Sequence, residues 1–90
     1  MRAGRAANPI YWTNRADAQS RLAQWDKVIA DLSKALELDQ AGPVRWNLRG
    51  VAYFRKGQWE KSLGDFSAAI DRAPNNPLFW TNRGNSLARL

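Results

Sequence analysis

Pro77-Leu78-Phe79-Trp80-Thr81-Asn82-Arg83 repeats Pro9-Ile10-Tyr11-Trp12-Thr13-Asn14-Arg15 at a distance of 68 residues, and Pro43-Val44-Arg45-Trp46-Asn47-Leu48-Arg49-Gly50 stands halfway between them. The period is therefore 34. Four triplets hold it without a gap: Pro9, Pro43 and Pro77; Trp12, Trp46 and Trp80; Arg15, Arg49 and Arg83; Arg21, Arg55 and Arg89. Trp25 with Trp59, Asp31 with Asp65, and Ala35 with Ala69 keep the same spacing. A period of this size marks an array of supersecondary units, each of which buries its apolar side only against its neighbours.

Each unit reads as two helices. Asn8, Gly42 and Asn76 stand as N-caps, each before a Pro at the first helical position, where the missing N–H costs nothing. In the middle unit the first helix is expected from about Val44 to Lys56, ending at Gly57, a residue that accepts the left-handed C-terminal conformation. The second helix carries Trp59, Leu63, Phe66, Ile70 and Ala73 as one apolar stripe, matched in the first unit by Trp25, Ile29, Leu32 and Leu36. Pro74-Asn75-Asn76-Pro77 is turn chemistry and ends that helix. The expected layout is repeat 1 at 9–42, repeat 2 at 43–76 and the first helix of a third repeat at 77–90. Residues 1–8 form a basic leader that is a candidate for disorder.

Ninety residues and 10.2 kDa leave room for one small domain and no separate catalytic lobe. Without Cys or His the chain has no disulfide, no thiolate, and neither the commonest general base nor the commonest transition-metal ligand. No Gly-rich phosphate loop or nucleophile turn occurs, and Asp26, Asp31, Glu60 and Asp65 are spaced for pairing with Arg and Lys. The expectation is a non-enzyme with no cofactor and no metal. No apolar run approaches the roughly 20 residues of a membrane span. Met1 to Ala7 is basic but lacks the apolar stretch of a secretory signal.

The middle unit resembles the tetratricopeptide repeat family: Trp46, Gly50, Ala52, Tyr53, Gly57, Trp59, Phe66, Ala69 and Pro74 fall where that family's pattern wants them. The first unit keeps Trp12, Ala18, Trp25, Ala35, Leu36 and Leu38, but has Ala16 for the usual Gly, Gln19 for the aromatic and Gln40 for the closing Pro. The third offers Trp80, Gly84 and Leu87. The resemblance implies an all-α fold, a right-handed α-solenoid of five helices in two and a half repeats, with antiparallel helix pairs and first helices lining a concave groove. It also implies the usual task of holding an extended or helical segment of another protein. In that layout Gly50, Gly84, Ala35 and Ala69 leave room for a neighbouring helix, and the five Trp residues are packing residues rather than a stacking ladder.

Two arginine registers carry different meanings. Arg15, Arg49 and Arg83 sit where the family more often has Leu, and an acid follows 16 residues later in each full unit, Asp31 and Asp65. These are expected to be structural ion pairs between helices, with Arg83 left to borrow Asp65 or stay solvated. Arg21, Arg55 and Arg89 lie about 240° further around the helix, on the groove side in the family's layout. Their guanidinium groups suit carboxylates or phosphates. The first helices with their leading Pro carry +1, +4 and +2, the second-helix segments −2 and −1, and the leader 1–8 adds +2, so among the helices the basic excess is confined to the groove-lining ones. The expected groove wall is Thr13, Asp17, Arg21, Asn47, Val51, Phe54, Arg55, Thr81, Asn85 and Arg89, and its expected ligand an acidic peptide.

Some members of the family clamp a C-terminal carboxylate with a fixed set of Lys, Asn and Arg. The corresponding registers here hold Thr13, Asp17, Leu48, Leu78 and Asn82, so the Lys and Arg of that clamp are missing. Two alternatives stand beside peptide binding. One is homo-oligomerisation through an uncapped last helix, with Phe79, Leu87 and Leu90 as its apolar face. The other is binding of RNA or another polyanion; the +6 charge supports it, but tryptophans committed to packing disfavour it. No membrane partner is expected.

Overall fold

The computed structural model describes residues 4–90, and among them there are five α-helices and no strand: α1 (Pro9–Arg21), α2 (Trp25–Leu38), α3 (Pro43–Arg55), α4 (Trp59–Arg72) and α5 (Pro77–Arg89). Asn8 and Asn76 cap as their position requires: the Oδ1 of each accepts from the N–H two residues on, Ile10 at 2.9 Å and Leu78 at 3.0 Å. Gly42 opens α3 with no side chain to cap it. Pro43 joins that helix as its first residue, and Lys56 is its C-cap.

The joints within the two hairpins are copies of one another. Gly57 takes φ +77°, and the Gln58 N–H donates back to Tyr53 O at 2.9 Å. In the first hairpin Ala23 occupies the same place at φ +55°, and the Gln24 N–H donates to Gln19 O at 3.0 Å. The turn geometry is thus set by the hairpin and imposed on a residue poorly suited to it.

A second copied device fixes the start of every first helix. The indole N–H of Trp12, Trp46 and Trp80 donates to the carbonyl six residues earlier, on Ala6, Gln40 and Pro74, at 3.1, 3.1 and 2.7 Å. Each Trp therefore lashes the incoming loop to its helix, and the Trp46 ring also packs against Ala69, Ile70 and Phe79. Arg72 reinforces the middle one, donating to Gln40 O at 2.6 Å with its guanidinium 4.7 Å from the Trp46 ring centroid. Within the leader, Arg5–Ala7 form a turn of 3-10 helix, tied by Trp12 at Ala6. Residues 1–3 of that leader lie outside the described residues.

Helices pack mainly on their sequence neighbours, and the first helices run side by side. Arg45 of α3 donates to Thr13 Oγ1 of α1 at 2.7 Å, and Asn82 of α5 donates to Asn47 of α3 at 2.9 Å. The core divides accordingly, because each seam is filled locally. Ala16, Val28, Leu32 and Ala52 fill one seam, with Trp25, Ile29 and Leu48 against them; Ala69, Ile70 and Phe79 fill the next, with Trp46 and Ala73 alongside. The envelope is 48 × 27 × 18 Å.

Two expectations about α5 are corrected here. Phe79 is not part of an open apolar face: it is 3% exposed, its ring lodged against Ala69 and Ile70 of α4. Gly84 does not make room for a neighbour, since nothing lies within 4 Å of where its Cβ would stand. At Gly50 the same test meets the Phe66 ring at 2.6 Å.

Candidate peptide-binding face

The first arginine register is spent on joining helices. Arg15 Nε and Nη2 donate to Asp31 Oδ2 and Oδ1 at 2.7 and 2.8 Å, a two-pronged pair between α1 and α2. Arg49 repeats it with Asp65 between α3 and α4, at 2.8 and 2.9 Å. The hydrogen bonds that Arg15 and Arg49 donate to Asp31 and Asp65 raise both guanidinium pKa values above the ordinary one, so both stay charged.

Arg83 departs from the expected ion pair. It neither reaches Asp65 nor stands free: its Nε donates to Ser67 Oγ at 3.0 Å. The physical reason lies in a second partner that the acid spacing concealed. Arg49 Nη1 likewise donates to Ser33 Oγ at 3.0 Å, so Arg49 reaches forward to α4 and back to α2, while Arg83 makes only the backward contact, to α4. Ser33 and Ser67 keep the 34-residue spacing, which is the signal that would have found them.

Several side chains expected on the groove wall are occupied internally. Thr13 accepts from Arg45 and donates to Pro9 O, Thr81 donates to Pro77 O, and Asn47 is buried holding Asn82. Arg45 in turn meets Asp39, whose carboxyl is held below its usual pKa by the Ala41 N–H and then by the Arg45 guanidinium.

The remaining wall residues surround two adjoining hollows. The first, about 230 Å³, lies between α1, α2 and α3, with an apolar floor that includes Trp25, Val28 and Leu48 and a rim of Asp17, Arg21 and Arg55. The second, about 240 Å³, lies between α3 and α5, lined by Phe54, Phe66, Asn82 and Asn85. Val51 and Arg55 line both and form the ridge between them. Trp25 and Phe66 are not read from the sequence as part of this face, because they belong to the apolar stripes of the second helices.

The second arginine register is held by aromatic rings as well as by charge. Arg55 lies 6.0 Å from the Trp25 ring centroid and Arg89 lies 5.2 Å from that of Trp59, so each covers the Trp that opens the preceding second helix. Arg89 also lies 5.8 Å from the Phe54 ring. Among the described residues no α-helix precedes α1, and Arg21 meets Asp17 one turn back, at 3.1 Å. All three side chains are exposed. A guanidinium on a ring keeps its N–H edges free, so the arrangement is chemically able to receive carboxylates.

Among the described residues no group of three or more acids suits a metal ion, and no helix is long and apolar enough to cross a membrane.

Residues 43–76 match the family model described as the tetratricopeptide repeat. Solved structures extend the likeness to nearly the whole chain. The tetratricopeptide domain of Arabidopsis OM64 superposes with a TM-score of 0.88 at 24% identity, over 93% of this chain and 69% of that one. The first such domain of Spaghetti (RPAP3), bound to the HSP90 peptide SRMEEVD, gives 0.88 at 26%, over 91% and 65%. The second domain of human RPAP3, in complex with the HSP70 peptide SGPTIEEVD, gives 0.84 at 24%, over 89% and 67%. This chain thus spans about two thirds of the chains it matches. Residues 43–76 are a tetratricopeptide repeat, and the five helices together have the fold of the tetratricopeptide-repeat domains.

Proposed function

We propose that this chain is a non-catalytic protein-interaction module that holds an acidic peptide segment along the face formed by α1, α3 and α5. The observation that carries the reading is the pair of hollows sharing Val51 and Arg55. Because they adjoin along the first helices, one ligand can set an apolar side chain over Trp25 and Leu48 and a polar one against Asn85. Arg21, Arg55 and Arg89 supply the positive rim, and the basic excess of the first helices draws an acidic segment in. Neighbours of the same fold that hold the acidic peptides SRMEEVD and SGPTIEEVD support this class of ligand.

The ligand's acidic side chains, rather than its terminus, are the recognised feature in this proposal. Thr13 and Asn82, at registers where a terminal-carboxylate clamp would act, are engaged by Arg45 and Asn47. The test is capture of a fluorescent acidic peptide by the wild type and by the triple variant Arg21→Ala, Arg55→Ala, Arg89→Ala. The expected outcome is a loss of at least about tenfold, with weaker binding at higher salt. SRMEEVD is expected to bind no better than its C-terminally amidated form. Equal capture by wild type and triple variant refutes the groove.

A further inference from the structure

The two units differ at one place where their copies of the groove should match. In the second unit Phe54 stands edge-on to Trp59, ring centroids 4.9 Å apart, and the Arg89 guanidinium lies over both rings, 5.8 Å from Phe54 and 5.2 Å from Trp59. One period earlier Trp25 stands for Trp59 and Arg55 for Arg89, but Ser20 stands for Phe54. Arg55 keeps its place, 6.0 Å from the Trp25 ring centroid. The Ser20 hydroxyl turns back to its own helix and donates to Asp17 O at 2.7 Å. A second phenyl is missing as well, since Leu32 stands for Phe66.

The larger ring's absence is matched by space. Ser20 and Trp25 both line the hollow of about 230 Å³ between α1, α2 and α3. An enclosed apolar cavity of about 150 Å³ takes up benzene, so this hollow has room for one ring. It is also the more apolar of the two: α3 lines it with Leu48 and Val51, at registers where α5 lines the other with Asn82 and Asn85. We propose that this hollow seats the phenyl ring of a Phe in the acidic ligand, set against Trp25 as Phe54 is set against Trp59, with an acid beside that Phe meeting Arg55. An aliphatic side chain fills the same volume but offers neither a ring edge to the indole nor a ring face to the guanidinium. The acid on the rim, Asp17, is paired with Arg21 at 3.1 Å and leaves Arg55 to the ligand. The inference rests on the groove reading and adds to it the residue that the ligand must carry.

The probes are the peptides EEFEE, EELEE and EEAEE, labelled at the N-terminus, amidated at the C-terminus and titrated with the full chain. EEFEE is expected to bind about tenfold or more tighter than EEAEE, and severalfold tighter than EELEE. Ser20→Phe supplies the ring from within: its melting temperature should rise, and EEFEE and EEAEE should then bind alike. Ser20→Leu fills less of the hollow and should narrow the same difference, which keeps the test decisive if the bulkier variant melts early. EEFEE bound no better than EELEE or EEAEE overturns the seat, and so does a preference for Phe that folded Ser20 variants leave intact. In either case the groove itself still stands if all three peptides are lost with Arg21→Ala, Arg55→Ala, Arg89→Ala. Binding of none of the peptides by the wild type refutes the groove and the seat with it.

Discussion

Arg49 and Asp65 are joined by two parallel hydrogen bonds of 2.8 and 2.9 Å, and the third nitrogen of the same guanidinium holds Ser33 at 3.0 Å. One side chain thereby ties α2, α3 and α4. The homologous Arg15 makes the same two bonds to Asp31, but its side chain is 46% exposed against 19% for Arg49.

That difference predicts unequal mutants. Asp65→Ala strands a mostly buried cation and should lower unfolding stability by about 3 kcal/mol. Asp31→Ala leaves Arg15 able to find water and should cost less. Urea unfolding of the two variants decides it, and equal losses would show that shielding of the arginine is not what matters.

Three helical glycines should respond with opposite signs to Ala. At Gly50 the new Cβ meets the buried Phe66 ring at 2.6 and 2.8 Å, so Gly50→Ala is expected to destabilise despite its gain in helix propensity. At Gly64 and Gly84 the Cβ meets nothing within 4 Å, and each substitution should stabilise by about 0.5–1 kcal/mol. Thermal melts of the three single variants test this ordering.

Ser62 and Ser86 are fully buried and share a hydrogen bond of 2.8 Å between α4 and α5. One repeat earlier the same two registers hold Val28 and Ala52, both buried in one apolar cluster. Either serine changed alone to Ala should cost about 1–2 kcal/mol by depriving the other hydroxyl of this partner. The pair Ser62→Val with Ser86→Ala should recover most of that, copying the upstream seam. A double-mutant cycle in which the effects simply add would contradict it.

Ala23 sits at φ +55° in the joint where the second hairpin has Gly57. Ala23→Gly is therefore expected to stabilise by about 0.5–1 kcal/mol, and Gly57→Ala to destabilise by a similar amount. Chemical denaturation of both is the measurement, and a loss of stability in Ala23→Gly counts against strain at this joint.

The 34-residue spacing in the sequence determined the helix count, the placing of each helix and the Arg–Asp partners, because these depend on contacts repeated in every unit. Asn8 and Asn76 announced their caps for the same reason; Trp46 packs as its register predicts, whereas Trp80 at the same register is 49% exposed. Tertiary structure alone decided which groove residues remain available. Thr13, Asn47 and Thr81 look like their neighbours in sequence, yet their polar groups are satisfied by Arg45, Asn82 and Pro77. It also decided that Phe79 is core while Gly84 stands open, although both lie on α5. A repeat fixes what a side chain offers; whether that offer is taken depends on which helices lie beside it.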